Sequence, residues 1–451
     1  MVCPFAYLAS RRIEALAQRV GATVDWRPVL LGGVYRAVGQ ADYPSAVGPP
    51  EKLRMNALDL HRWAALDGAP LRVPVGHPRR SVEAMRLLLS RSGEARRALS
   101  HALYQAYWVD GVDVANPAVL AEVAWQKVGL PARETLAVLA DAGVKAALHE
   151  ATAEAVARGV FGVPTFVVEE TGQLVWGQDR MGVLEGILER ASTSTSTSTS
   201  TSTSTSTSTS TSTSRSTSTS TSTSTSTSTS ETRQLDFWFD PSSPYAFLAA
   251  TQLGALEERT GVTARWRPLF LGARFKQLGY PADPLQRYPA VKSQYLKGDF
   301  ARAARHLGID LVVPRTFPQS SLQALRMLVA AEARGGQADL VRLALAIYAA
   351  YWTGGDLDLS DLAALARVAD AAGLPGAALA EKAQTPAVKQ ALVALTEEAA
   401  AAEIFGAPFF RVSHPDGATD WFWGHDRLPL VERALAGWRP DLAGVDLSRG
   451  L

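Results

Sequence analysis

Ser243 stands where a strand signal gives way to a helix signal. The stretch Leu235–Ala249 reads LDFWFDPSSPYAFLA. Leu235, Phe237 and Phe239 alternate with Asp236, Trp238 and Asp240, which predicts a strand. Pro241-Ser242-Ser243-Pro244 then makes a polar turn. A helix follows, with Ser243 as its cap and Pro244 at its first position. A helix start carries free amide hydrogens and partial positive charge, so an anion or a thiolate is favoured beside that hydroxyl. Loops past the carboxyl ends of strands are also where α/β proteins bind ligands. A capping role alone accounts for the serine equally well, so its chemistry has to be argued from what surrounds it.

Other chemistries are excluded by what the chain lacks. Its one cysteine, Cys3, permits neither an internal disulfide nor a CxxC redox pair. None of the seven histidines pairs with another at metal-ligand spacing, and no thiolate cluster exists, so no metal site is expected. A net charge of +1 argues against a nucleic-acid partner. No apolar run approaches the roughly 20 residues that span a bilayer, so no membrane partner is expected. The opening MVCPFAYLASRR has its basic residues after the apolar run, unlike a signal peptide. A soluble, cytoplasmic protein is expected.

The elements that must position Ser243 occur twice. Cys3-Pro4-Phe5-Ala6-Tyr7-Leu8-Ala9 parallels Ser243-Pro244-Tyr245-Ala246-Phe247-Leu248-Ala249. Trp26-Arg27-Pro28 parallels Trp266-Arg267-Pro268, and Tyr107-Trp108 parallels Tyr351-Trp352. Phe161-Gly162-Val163-Pro164 parallels Phe405-Gly406-Ala407-Pro408, and Trp176-Gly177-Gln178-Asp179-Arg180 parallels Trp423-Gly424-His425-Asp426-Arg427. The order is kept throughout, as in duplicated domains. Between the copies runs Ser192–Ser230, an alternation of Ser and Thr broken only by Arg215. With no apolar side chain to bury it reads as a flexible linker. The expected organisation is therefore 1–190, a linker over 191–230, and 231–451. Each copy reads as strand, helix, strand, a long helical insert, two strands and a closing helix capped by Asp179 or Asp426. The second strand is expected to be the segment ending in Trp26-Arg27-Pro28 or Trp266-Arg267-Pro268. Copy one has no counterpart of the strand Leu235–Asp240, and a true start upstream of Met1 is the favoured explanation.

Both copies resemble the 2-hydroxychromene-2-carboxylate isomerase family, relatives of kappa-class glutathione transferases and DsbA-like proteins. The resemblance rests on FDPSSPYAFLA, the segment Lys292–Asp299, FGAPFF and WGHDR, and in copy one on CPFAYLA, Lys52–Asp59, FGVPTF and WGQDR. It implies an α/β thioredoxin-like fold with an all-helical insertion, present twice. It also implies glutathione as a retained cofactor and a small aromatic carboxylate as substrate, in aromatic-compound catabolism.

The resemblance further assigns residues. Ser243 would donate a hydrogen bond to the glutathione sulfur, and Cys3 takes the same place in copy one. Pro164 and Pro408 would be cis and expose the backbone of Val163 and Ala407 to glutathione. Gly177, Gln178 and Asp179, with Gly424, His425 and Asp426, would receive its amino end. Lys52 and Lys292 would face a carboxylate. Trp108 and Trp352 are either core or walls for an aromatic ligand. Of the family's Asn- and Arg-rich segment, Gly76–Ser81 keeps the arginines but not the asparagine and Thr316–Ser321 keeps neither, which leaves the substrate open. Two rival functions remain: a transferase or thiol oxidoreductase working through Cys3, and a non-catalytic scaffold in which one copy pairs with the other inside the chain.

Overall fold

The computed structural model describes residues 1–40, 48–197, 233–281, 283–442 and 445. The linker expected over 191–230 lies outside the described residues from 198 onward. The helix Met181–Thr197 that closes the first half runs into the beginning of the Ser-Thr tract.

Among the described residues the first half has two strands, β1 (Thr165–Val168) and β2 (Gln173–Trp176), paired antiparallel. The described residues of the second half have four: β3 (Gln234–Phe239), β4 (Ala264–Pro268), β5 (Phe409–Ser413) and β6 (Thr419–Trp423). Their order is β4-β3-β5-β6. β3 pairs parallel with β4 and antiparallel with β5, and β5 pairs antiparallel with β6. As the central strand, β3 is buried from Leu235 to Phe239. Phe237 packs its ring on Phe239, Trp266 and Phe410 at centroid distances of 4.9–5.5 Å. After β3 the chain enters the helix Pro244–Thr260.

The expected strand at Trp26 does not form, whereas its counterpart at Trp266 is in β4. The reason is pairing: β4 exists because β3 lies beside it, and no strand in that position occurs in the first half among the described residues. The backbone at Trp26 finds a side chain instead, its carbonyl accepting from Arg96 Nη1 at 2.8 Å. The Trp26 indole N–H is buried without a partner among the described residues. The helix that is continuous over Pro244–Thr260 is broken in the first half into Pro4–Ser10 and Ile13–Arg19.

The insert of the second half is built on Leu322–Trp352, bent where Gly335 and Gly336 leave helical geometry. The first half uses two helices there, Val82–Leu89 and Gly93–Trp108. One apolar cluster contains side chains of both halves, from Leu8 and Trp108 to Phe237 and Trp352. A smaller one, including Ile13, Leu16, Val175 and Leu184, sits beneath β1 and β2. The Trp176 amide donates to the Tyr295 hydroxyl across the halves at 2.8 Å. No helix among the described residues is long and apolar enough to cross a membrane.

Candidate functional site

Ser243 caps the helix as its neighbours dictate. Its Oγ accepts from the Ala246 amide at 3.2 Å and donates to the Ala407 carbonyl at 3.1 Å. The preceding turn is held by Asp240, whose importance the alternation pattern concealed. One of its carboxylate oxygens accepts from Ser242 N (2.8 Å) and Ser242 Oγ (2.7 Å), the other from Leu271 N (3.0 Å) and Ser321 Oγ (2.8 Å). Burial raises its carboxyl above the usual range even against those donors. An Asp followed two residues later by Ser at a turn is the signal that marks it. The Trp352 indole donates to Pro241 O at 2.9 Å, and Trp108 makes the matching bond to Met1 O at 3.1 Å. Both tryptophans are fully buried. They brace the turn rather than wall the cavity.

The Val163–Pro164 and Ala407–Pro408 bonds are cis, as the resemblance implied. His77–Pro78 and Phe317–Pro318 are cis as well, which the sequence reading missed. Gly406 lets the Trp423 ring lie against the loop: a Cβ there would stand 2.8 Å from the indole nitrogen. Gly424, at φ 110°, turns the chain so that its amide donates to Pro408 O at 3.1 Å. The Ala407 N–H has no partner among the described residues.

Asp179 and Asp426 are not caps of the closing helices. They lie inside the 3-10 turns Gln178–Arg180 and His425–Arg427; neither turn receives a side-chain cap, nor does the helix Leu428–Leu435. Their carboxylates are taken by arginines instead. Asp179 accepts from Arg427 of the other half at 2.9 Å, and Asp426 accepts from Arg180. Arg427 also reaches Asp59 at 2.7 Å, and Arg180 reaches Asp299 at 3.2 Å. Each arginine thus serves two aspartates of the opposite half in the same pattern. Burial would raise the Asp426 carboxyl, but Arg427 and Arg180 outweigh it and hold it well below its ordinary value. His425 is buried, stacked on Tyr245 at 5.2 Å, and burial lowers its pKa to about 4. The Tyr245 hydroxyl donates to Asp299 at 3.1 Å.

In the first half, Cys3 Sγ donates to Val163 O at 3.3 Å, the equivalent of the Ser243 bond. Its helix, Pro4–Ser10, has no side-chain cap. Burial pushes the thiol up, against the activation that a helix start suggested. Among the described residues no cluster of three or more His, Cys, Asp or Glu could hold a metal ion.

One cavity of about 2050 Å³ is lined by both halves, including Cys3, Ser243, Pro164, Pro408, Lys52 and Lys292. A single small-ligand pocket is roughly 300–1,000 Å³, so a cofactor and a substrate fit together. Gly177, Gln178 and Asp179 line it, as do Gly424, His425 and Asp426. The lysines cross over: Lys52 Nζ lies 5.1 Å from the Trp423 ring and Lys292 Nζ 4.8 Å from the Trp176 ring. Burial lowers the Lys292 pKa.

A sheet ordered β4-β3-β5-β6, a capped helix after its first strand, a cis-proline before its third and an inserted helical lobe define a thioredoxin-like fold with a helical insertion. The first half repeats the plan on its two strands. The chain belongs to the DSBA-like thioredoxin domain family, whose model matches residues 1–189 and again 234–436. It is 30% identical over 187 residues to the 2-hydroxychromene-2-carboxylate isomerase of Sphingobium xenophagum, covering 42% of this chain and 93% of that protein. It is 27% identical over 212 residues to human glutathione S-transferase kappa 1, covering 45% of this chain and 91% of that protein. A solved structure of 2-hydroxychromene-2-carboxylate isomerase is 27% identical, with a TM-score of 0.39, covering 45% of this chain and 94% of the other.

Proposed function

We propose that the chain is a glutathione-dependent isomerase of the 2-hydroxychromene-2-carboxylate isomerase type, with the second half as the working unit. The observation that carries this reading is the Ser243 hydroxyl. It heads the helix Pro244–Thr260, borders a cavity large enough for two ligands, and points to the carbonyl before a cis-proline. The donor set suits the tripeptide: the unpartnered Ala407 amide offers an edge for its backbone. Bound glutathione would supply a thiolate that adds reversibly to a conjugated double bond of the substrate.

The protein's part is to keep that sulfur charged. A free thiol has a pKa of about 8.5. Each unit of lowering requires about 1.4 kcal/mol of preferential interaction. The helix start supplies roughly 0.3–1 kcal/mol, and a hydroxyl donating to a charged acceptor about 1.5–3 kcal/mol. Together they cover the shift that makes thiolate the main form at neutral pH. To donate to a sulfur, the Ser243 hydroxyl need only turn from Ala407 O. Cys3 is a poorer candidate for thiol exchange, since burial disfavours its thiolate and no second cysteine exists.

We read 1–190 and 231–451 as two domains joined by 191–230, paired within the chain as a pseudo-twofold unit. The reciprocal contacts of Arg180 and Arg427 support this. Thiolate absorbance of glutathione, titrated with the protein present, tests the proposal. The expected midpoint lies below that of free glutathione and returns toward it in Ser243→Ala. A midpoint unmoved by the wild-type protein would sink the reading.

A further inference from the structure

In the second half β3 fills the middle of the sheet, between β4 and β5. The first half keeps both sides of that place without the filling. Its counterpart of β5 is β1, which pairs with β2 alone among the described residues. Its counterpart of β4 is the stretch of residues 23–28. No amide N–H of residues 23–29 has a hydrogen-bond partner among the described residues. The burial of the stretch nevertheless alternates as a strand's does: Val24 and Trp26 are half-buried, while Thr23, Asp25 and Arg27 are exposed. Its outer fastenings are kept too. Arg27 reaches Glu154 at 3.2 Å, as Arg267 reaches Glu398. Arg96 holds the Trp26 carbonyl, where Gln337 holds both the amide and the carbonyl of Trp266, at 2.7 and 3.1 Å.

The groups that face the missing strand are the ones left short of partners. Trp266 packs on Phe237 and Phe239 at 4.9 and 5.1 Å, whereas Trp26 has the His101 ring at 5.1 Å instead. Phe410 is fully buried against Phe237 at 5.4 Å, and its counterpart Phe166 is half-buried. Tyr348 donates its hydroxyl to the carbonyl of Asp240, the residue that follows β3, at 3.3 Å. Tyr104 is its counterpart and is 9% exposed, yet its hydroxyl has no partner among the described residues. The Trp26 indole N–H is a second donor in the same condition. Buried donors without acceptors cost free energy. An open strand edge beside a half-buried apolar face is a template for another strand.

We propose that the first half takes an extended strand from a partner chain, laid between β1 and residues 23–28 in the place that β3 holds in the second half. The strand runs parallel to residues 23–28 and antiparallel to β1, with its carboxyl end toward Tyr104. Five residues suffice, the number that β3 pairs with β4. Aromatic or branched apolar side chains at alternate positions meet Trp26 and Phe166. No described strand is free to serve, because β3 is paired on both edges, and a second copy of the chain has its strands occupied in the same way. The Ser-Thr tract offers no apolar side chain. Neither glutathione nor isomerase activity is required.

Fluorescence anisotropy on the full chain tests this, with a labelled peptide QLDFWFD, the sequence of residues 234–240, as the probe. One peptide is expected to bind per chain. Phe237→Pro in the peptide should abolish binding, since proline removes a ladder N–H from a central strand. In the protein, Phe166→Ala should weaken binding about tenfold and the conservative Tyr104→Phe about fivefold. Leu345→Ala, exposed on the second half, should leave the affinity unchanged. Hydrogen exchange should show residues 23–29 and 165–168 gaining protection on binding, with β3 and β5 unaltered. A peptide that does not bind, or that binds without protecting β1, would overturn the proposal. So would wild-type affinity in both Phe166→Ala and Tyr104→Phe. Self-association of the chain that the peptide reverses would give the place to a second copy, and a native N-terminal peptide extending beyond Met1 would give it to the chain itself; either result removes the partner.

Discussion

The two halves carry the same plan on unequal frames. The second half hangs its site on four strands among the described residues, with β3 in the middle and Ser243 four residues beyond its last paired residue, Phe239. The first half has two strands among the described residues, yet its Cys3, cis-Pro164 and Gly177 adopt the same mutual arrangement, down to the bond between Gly177 N and Pro164 O at 3.0 Å. The lesson is that the loop geometry around the cavity does not need the whole sheet. It needs the strand pair that carries the cis-proline, the braced turn, and the opposite half. What the sheet adds is rigidity beneath the capped helix.

The largest expected difference concerns that frame. Phe237→Ala, in the centre of the four-stranded sheet, should cost about 3–5 kcal/mol, whereas Phe166→Ala in the half-buried β1 should cost clearly less. Urea unfolding of the full chain measures both, and equal losses would remove the distinction drawn between the sheets. Next come the crossed arginines. Arg180→Met or Arg427→Met strands two aspartates in a buried place, at about 3–5 kcal/mol. If the contacts are reciprocal the two losses will be similar, and a loss confined to one variant would break the symmetry.

The third comparison is between the capping residues. Ser243→Ala should raise the midpoint of bound glutathione thiol by about one to two units, the equivalent of roughly 1.5–3 kcal/mol. Cys3→Ala should leave it where it was; the reverse outcome would move the chemistry to the first half. The smallest effect is a pH slope. His425 has Gln178 as its counterpart, and burial brings its pKa from 6.5 to about 4 in the folded protein. Between those values the unfolded chain binds a proton that the folded one does not. Stability is therefore full above about pH 6.5 and falls as pH drops toward 4, by at most about 1.4 kcal/mol per unit. His425→Gln should flatten that slope. His77, also held at about 4 by burial, lies in the first half, and His77→Phe separates its share.

What could be read in the chain was local. Ser-Pro after an alternating run announces a capped helix, and Pro after Phe-Gly-Ala announces a turn before a strand. The repeat itself located the second site once the first was found. What escaped depended on partners far away in sequence. Trp26-Arg27-Pro28 has the same composition as Trp266-Arg267-Pro268, but a strand needs a neighbour, and only β4 has one. Asp179 and Asp426 look like caps because acidic residues favour helix starts; each pairs with the arginine next to it and with one more than two hundred residues away.

Because Arg180, Arg427 and their four aspartates ride on one polypeptide, the meeting of the halves is a first-order event. Dilution should not separate them, and no exchange of subunits can scramble a working half with another chain's. That arrangement would let the two copies diverge freely: each Cys3-bearing half is always delivered with one Ser243-bearing half, in a ratio fixed by translation.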